Sequence, residues 1–485
     1  MSNEAPSTPR NRSARARTRR IALLGALVGL TVAVGVAARR PPPQPPVITP
    51  PQATAITAGP IQLSAQLDRS SVLRGGDGQL RAELVIAGQA QGDLPLATVP
   101  TDLVVVLDRS GSMQGEPLHF ARAAVLELIG QLTPLDRFAL VTYASDGEIA
   151  IPLTQATPSA LRGWRDRIAG VFASGGTHMA QGLDLAHGLV TSSQRAGRAP
   201  RVILISDGHA NQGDYSLAGL RGRAGRSLSG EYVLSSVGVG AGFDETVMAA
   251  VADAGTGNFY YLPDIASLSG VFAAEFASAR ETLASALEVA ITPGSGVVVE
   301  SAAGYPLERN GQTVSFRPGD LAVGQERRIW IGLRAPTGAE GEIALGELSL
   351  AYTSLDGERH QLALPSLPQL ACVPGEADYF ASFDREVYKR GIRSEGLGRL
   401  QEQVAAKLRA GDQAEAVSRV DGYLYDLAIE QQRALGYVDE EALAPAESLR
   451  ATVAAPAAAA PPVQNQLGKQ LLEAGRDQRR AGSKR

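Results

Sequence analysis

Leu103–Ser112 reads LVVVLDRSGS: five apolar residues run without a break into Asp108-Arg109-Ser110-Gly111-Ser112. A short, wholly apolar run is a strand buried on both faces, as in a parallel sheet covered by helices. Three more such runs follow, FALVTY at 138–143, VILI at 202–205 and YVLSSV at 232–237, alternating with helix-period segments. Between the first two, Ala121, Ala124, Val125, Leu128 and Ile129 recur at i, i+3, i+4, i+7 and i+8, one stripe of a helix. The alternation predicts a doubly wound, mostly parallel α/β domain over residues 100–285. In open sheets of this kind ligands bind beyond the carboxyl ends of the strands, where Asp108-Arg109-Ser110-Gly111-Ser112 stands.

Alternate residues of an extended segment point the same way, so Asp108, Ser110 and Ser112 are expected to converge their oxygens. Thr177 follows Gly175-Gly176 and opens a helical pattern, at the position of a capping hydroxyl. Asp207 ends the run VILIS on the same sheet edge. Two carboxylates and three hydroxyls are hard oxygen donors, suited to Mg²⁺. His178 and His209 stand beside two of these residues and read as rim residues.

The pattern Asp108-x-Ser110-x-Ser112, with Thr177 and Asp207 following in order, resembles the metal-ion-dependent adhesion site of von Willebrand factor type A (VWA) domains. The resemblance covers about residues 100–280 and includes YVLSSVGVG and GNFYYLPDIASL, similar to the last strands of bacterial members. It implies that Ser110, Ser112 and Thr177 bind Mg²⁺ (or Mn²⁺) directly, while Asp108 and Asp207 act mainly through water. It also implies a protein ligand whose Asp or Glu carboxylate fills the open coordination position.

Enzyme readings find little support. An aspartyl phosphotransferase wants a second carboxylate two residues after its nucleophile, and that position is Ser110. Ser110 or Ser112 as a hydrolase nucleophile needs an oriented base, which nothing supplies. Gly238, Gly240 and Gly242 do not make a dinucleotide loop, because the third required glycine falls on Phe243. The expectation is a binding protein with no catalytic or organic-cofactor residues.

The 485 residues carry a net charge of −4, with eight Arg and one acid in residues 1–40, leaving 38 basic and 49 acidic groups elsewhere. So acidic a remainder argues against nucleic-acid binding. The lone Cys372 excludes an internal disulfide and reads as a small buried hydrophobe. Ile21–Ala38 is an uncharged run of 18 residues, reaching about 27 Å as a helix, close to the hydrocarbon thickness. Six Arg precede it and two follow, which predicts a cytoplasmic arm and an extracytoplasmic bulk. A cleaved signal peptide followed by secretion is the competing reading.

Short β patterns at 61–88 cannot bury a face alone. They return after residue 289 as SGVVVES, GQTVSF, RRIWIGLRA, GEIALGELSLAYTS and RHQLALP, so both sets are expected to complete one β-sandwich with the α/β domain inserted. Two apolar stripes, Leu397 to Leu408 and Ala416 to Leu427, flank Gly411-Asp412 and predict a helical hairpin. The chain then divides into a basic arm (1–20), a transmembrane anchor (21–38), a Pro-rich linker (39–60), first sandwich strands (61–99), the α/β domain (100–285), remaining sandwich strands (286–372), a helical hairpin region (373–450), and an Ala/Pro linker with a solvated basic tail (451–485). The function expected is a bacterial, inner-membrane-anchored, periplasmic binding protein. An envelope assembly scaffold with a structural metal, or an accessory subunit of an ATPase complex, are the other readings.

Overall fold

The computed structural model describes residues 51–89, 99–193, 197–207, 209–239, 243–262, 267–364, 367–455, 458 and 460–480. Ile21–Ala38 and the basic arm lie outside them; among the described residues no helix is long and apolar enough to cross a membrane. All described residues fall in one unit, Ile48–Arg485.

Four strands open the described chain: β1 (Thr54–Ala58), β2 (Ile61–Leu67), β3 (Ser71–Leu73) and β4 (Gln79–Gly88). β1 lies inside the stretch read as Pro-rich linker. Its alternate Thr54, Ile56 and β-branched Thr57 pair antiparallel with β2, from Thr54↔Ala65 to Ala58↔Ile61, and that pairing overrides the neighbouring prolines.

The α/β unit follows as β5 (Thr101–Asp108), α1 (Glu116–Gly130), β6 (Arg137–Tyr143), β7 (Gly147–Gln155), α2 (Pro158–Ala169), α3 (Met179–Thr191), β8 (Ala199–Ser206), α4 (Leu217–Gly225), β9 (Val233–Val239), α5 (Glu245–Ala254), β10 (Thr256–Leu262) and α6 (Leu268–Arg280). The sheet order is β10-β9-β8-β5-β6-β7, parallel except for β7. Every residue of β5 is buried. Leu103, Val105 and Leu107 pack with α1, α2 and α6 on one face, and Val104 and Val106 with α3, α4 and α5 on the other. The unbroken apolar run is what two covered faces require. β5 leads to β6 on one side while β8 pairs on its other side, so the strand order reverses at β5 and opens a crevice beyond its end.

The chain re-enters β structure at β11 (Thr282–Pro293), followed by β12 (Val298–Ala302), β13 (Glu308–Asn310), β14 (Thr313–Ala322), β15 (Glu326–Arg334), β16 (Gly341–Ile343), β17 (Gly346–Ser354), β18 (Arg359–Leu364) and β19 (Leu370–Val373). The early strands find their partners here: β4 pairs antiparallel with β15 from Ala87↔Glu326 to Gln79↔Arg334. Sheets β1-β2-β4-β15-β12 and β13-β14-β11-β17-β18 share one core, in which Leu63, Leu84 and Ile329 meet Val289, Phe316 and Leu350. Cys372 is a buried free thiol on β19, parallel to Val72 of β3.

Six α-helices complete the described chain: α7 (Glu376–Ala381), α8 (Arg385–Gly391), α9 (Leu397–Arg409), α10 (Gln413–Leu435), α11 (Glu440–Ala454) and α12 (Pro461–Arg479), with a π-helical turn at Ile392–Gly396 joining α8 to α9. α9 and α10 form the hairpin, turned by Gly411 at φ +77° and capped by Asp412, which accepts from the Glu415 amide at 3.0 Å. The C-terminal stretch departs from the solvated tail expected of it. α12 lies along α9, where a Cβ on Gly398 would fall 2.6 Å from the Gly475 carbonyl oxygen. Lys469 donates from α12 to the Phe243 carbonyl at 2.8 Å, and Glu473 accepts from the Tyr261 amide at 3.2 Å. Those charged residues are contacts with the α/β unit rather than a hydrated surface.

Candidate metal centre

β5 delivers Asp108 to the crevice fully buried, and the backbone then turns. Ser110 is extended at φ −60°, ψ 169°, and Gly111–Met113 forms a single 3₁₀ turn. The convergence expected from an extended strand therefore comes from a tight turn. It brings Ser110 Oγ and Ser112 Oγ to 3.0 Å. The Ser110 amide donates to Asp108 Oδ1 at 2.8 Å, and the Ser206 hydroxyl donates to Asp108 Oδ2 at 2.6 Å. Ser206 ends β8, so Asp207 leaves the adjacent strand at the same edge.

Thr177 is buried in the loop before α3, one position outside the cap, and α3 has no side-chain cap. The capping role expected of its hydroxyl is thus absent, because the loop is held by other bonds. The Thr177 amide donates to Asn211 Oδ1 at 2.9 Å, while the Asn211 and Gln212 amides donate to the Thr177 carbonyl at 3.1 and 3.3 Å. The loop carrying Thr177 is thereby fixed to the loop that follows Asp207. It is also fixed to the Ser110 turn, through the Gly111 amide on the Gly175 carbonyl at 3.1 Å. Gly175 and Gly176 are required by closeness: a Cβ on the first would sit 2.6 Å from Ser145 Oγ, and on the second 2.5 Å from Gln212 Nε2.

Two observations bear on a cation. Asp207 Oδ1 is buried with no hydrogen-bond partner, which is costly for a carboxylate oxygen. Burial pushes the Asp108 carboxyl above its ordinary range; bonds from Ser110 and Ser206 oppose this, and the charge of Asp207 adds to it. The same burial, with Asp108 and Asp207 beside it, holds the Tyr143 phenol well above its usual value. Two confined carboxylates and three hydroxyls fit a hard divalent ion, which would relieve both strains.

His178 stays at the rim, its Nε2 against the backbone of Gly213, where an added Cβ would lie 1.9 Å away. Arg109 turns aside, donating to Ser174 Oγ at 2.8 Å. Sequence reasoning missed the supports Ser206, Asn211 and Ser145. Ser206 was within reach as the neighbour of Asp207 on a fully buried strand end; the other two depend on loop contacts that no local pattern announces.

Residues 102–274 match the family model of the von Willebrand factor type A domain. An uncharacterized protein of Synechocystis is 26% identical over 371 residues, 74% of this chain and 86% of that protein. Human inter-alpha-trypsin inhibitor heavy chain H4 is 30% identical over 151 residues, 30% of this chain and 16% of its own length. An uncharacterized Escherichia coli protein is 28% identical over 207 residues, 42% of this chain and 35% of that one. The chain thus spans only about a third and a sixth of the latter two relatives named, E. coli and human. Among solved structures, a VWA protein of Catenulispora acidiphila superposes with a TM-score of 0.60 at 16% identity, covering 83% of this chain and 97% of that one. The ArnB paralog VWA2 of Sulfolobus acidocaldarius gives 0.55 at 16% identity, covering 88% and 99%. With its alternating strands and helices, its reversal at β5 and its matching family model, residues 102–274 of this chain are a von Willebrand factor type A domain.

Proposed function

We propose that this protein is a non-enzymatic binding protein whose VWA domain holds Mg²⁺ or Mn²⁺ at Asp108, Ser110, Ser112, Thr177 and Asp207 and grips a protein ligand there. The single observation that carries the reading is the buried, unpartnered Oδ1 of Asp207 beside the bonded Asp108–Ser110–Ser112 turn. When bound, the divalent ion supplies a charged position that an Asp or Glu carboxylate of a partner can reach.

The chain's own residues do the rest. Ser206 and the Ser110 amide orient Asp108, leaving Ser110 Oγ and Ser112 Oγ side by side. Asn211 fixes the Thr177 backbone. Ile21–Ala38 is the proposed membrane anchor, with the folded unit on the periplasmic side of an inner membrane.

Calorimetric titration with MgCl₂ and MnCl₂ tests the site. Wild type is expected to take up one ion, while Thr177→Ala and Asp207→Asn weaken uptake by about 10- to 100-fold with an unchanged circular dichroism spectrum. Crosslinking to envelope proteins should then require the metal and fail for Asp108→Ala. A wild-type protein that takes up neither ion, or crosslinks equally in EDTA, overturns the proposal.

A further inference from the structure

A second site shares no residue with the metal centre. α4, α5, the loop at Gly304 and Pro306, α9 and α12 meet around a cavity of about 330 Å³. Three guanidiniums line it, Arg221, Arg409 and Arg476, against one carboxylate, Asp253. That carboxylate is already engaged, since Arg476 and Arg480 both donate to its Oδ1.

Much of the donor capacity at this junction is unspent. Arg409 Nη1 donates to Glu245 Oε1 at 3.3 Å and Thr246 Oγ1 at 3.1 Å, while its Nε is buried with no partner. Arg221 is exposed and, among the described residues, makes no hydrogen bond or ion pair. Guanidinium N–H groups that reach an open cavity without a protein acceptor, as those of Arg221 do, are matched by an oxyanion. Burial first, then the like charges of Arg480 and Arg479, hold Arg476 well below the usual arginine range. An arginine keeps its proton in a protein, and Arg476 answers its burial with the ion pair to Asp253.

We propose that this cavity binds a phosphate or phosphomonoester oxyanion, clasped by Arg221 and Arg409 with Arg476 balancing its charge. Planar, forked guanidiniums match the edges of a tetrahedral oxyanion, and the basic groups here outnumber Asp253 and the Glu245 that pairs with Arg409. Ala249, Ala250, Pro306 and Leu472 give the cavity apolar walls, which strengthen such contacts. Because α4 and α5, the sandwich loop, and α9 and α12 all contribute, the anion joins the three parts of the molecule.

The test uses inorganic phosphate on the full chain in EDTA, against NaCl of matched ionic strength. Phosphate is expected to raise Tm by several degrees beyond NaCl, and Arg221→Gln and Arg409→Gln to weaken calorimetric phosphate affinity at least tenfold. Arg221 is exposed and unpartnered, so its variant folds even if Arg409→Gln does not. Co-sedimentation with phosphatidylcholine vesicles, with and without phosphatidic acid, identifies the source. Acid-dependent binding competed by phosphate assigns a lipid headgroup, and phosphate uptake without vesicle binding assigns a soluble ester. No effect of phosphate beyond NaCl, or an Arg221→Gln protein that binds it like wild type, overturns the proposal.

Discussion

Asp136 and Asp108 lie at opposite ends of the sheet, and their surroundings treat them oppositely. Burial alone would push Asp136 up, yet amides of Thr101 and Thr133, the Thr133 hydroxyl and Arg280 together bring its carboxyl below the ordinary 3.8. A depressed carboxylate stabilises the fold above its unfolded value, and that stability is lost as pH falls through the folded one. Asp136→Asn turns an N–H₂ group toward donors, and is expected to destabilise by about 1.5–3 kcal/mol near neutrality. The gap between variant and wild type in urea melts should stay constant above about pH 5 and narrow below pH 3.8. A gap that persists unchanged into acid would remove the charge from the explanation. Asp108 shows why sequence reached some of these residues and missed others. Asp108, Ser110 and Ser112 are legible because strand and turn place them within five positions, whereas Ser206 reaches Asp108 across 98 residues, through strand pairing alone.

At the scale of elements, legibility follows the kind of packing. β5, β6, β8 and β9 announce themselves because both faces are buried, and every residue of β5, β6 and β9 is covered. α12 does not, because its buried face is Gln464, Gly468, Lys469, Leu471, Gly475 and Arg479, a set with one large apolar side chain. It docks by close backbone approach, by ion pairs and by the short apolar row Leu467, Leu471 and Leu472, too small a patch beside so many polar residues to announce a packed helix. This contact yields a paired prediction. Gly398→Ala places a Cβ 2.4 Å from Arg479 Cγ and 2.6 Å from the Gly475 carbonyl oxygen, so α9 and α12 must part. The expected cost is about 1–3 kcal/mol. Gly422→Ala on α10 meets nothing within 4 Å and should gain about 0.5–1 kcal/mol from helix propensity. Urea midpoints measure both, and a neutral Gly398→Ala would mean that α12 is not held by this approach.

On the scale of the whole molecule, the two β segments depend on each other while the α/β unit does not depend on them for its core. Its ends meet: the Val99 amide donates to the Arg280 carbonyl at 3.1 Å, and Val99, Ala199 and Ala279 pack together. Both faces of its sheet are covered by its own helices. What the rest of the chain supplies is peripheral to that core: Asp320 pairs with Arg201 at 2.6 Å, and α12 bonds to Phe243 and Tyr261. Residues 99–281 expressed alone should therefore fold cooperatively, with native near-ultraviolet circular dichroism. Their Tm should fall several degrees below that of the whole chain, and their Mg²⁺ uptake should match it. Removing residues 51–89 should do the reverse, stripping β4 from β15 and leaving an open edge that aggregates. An excised segment without fixed tertiary structure would show that the insertion needs its sandwich to fold, and would place the cooperative unit at the whole 51–480 span.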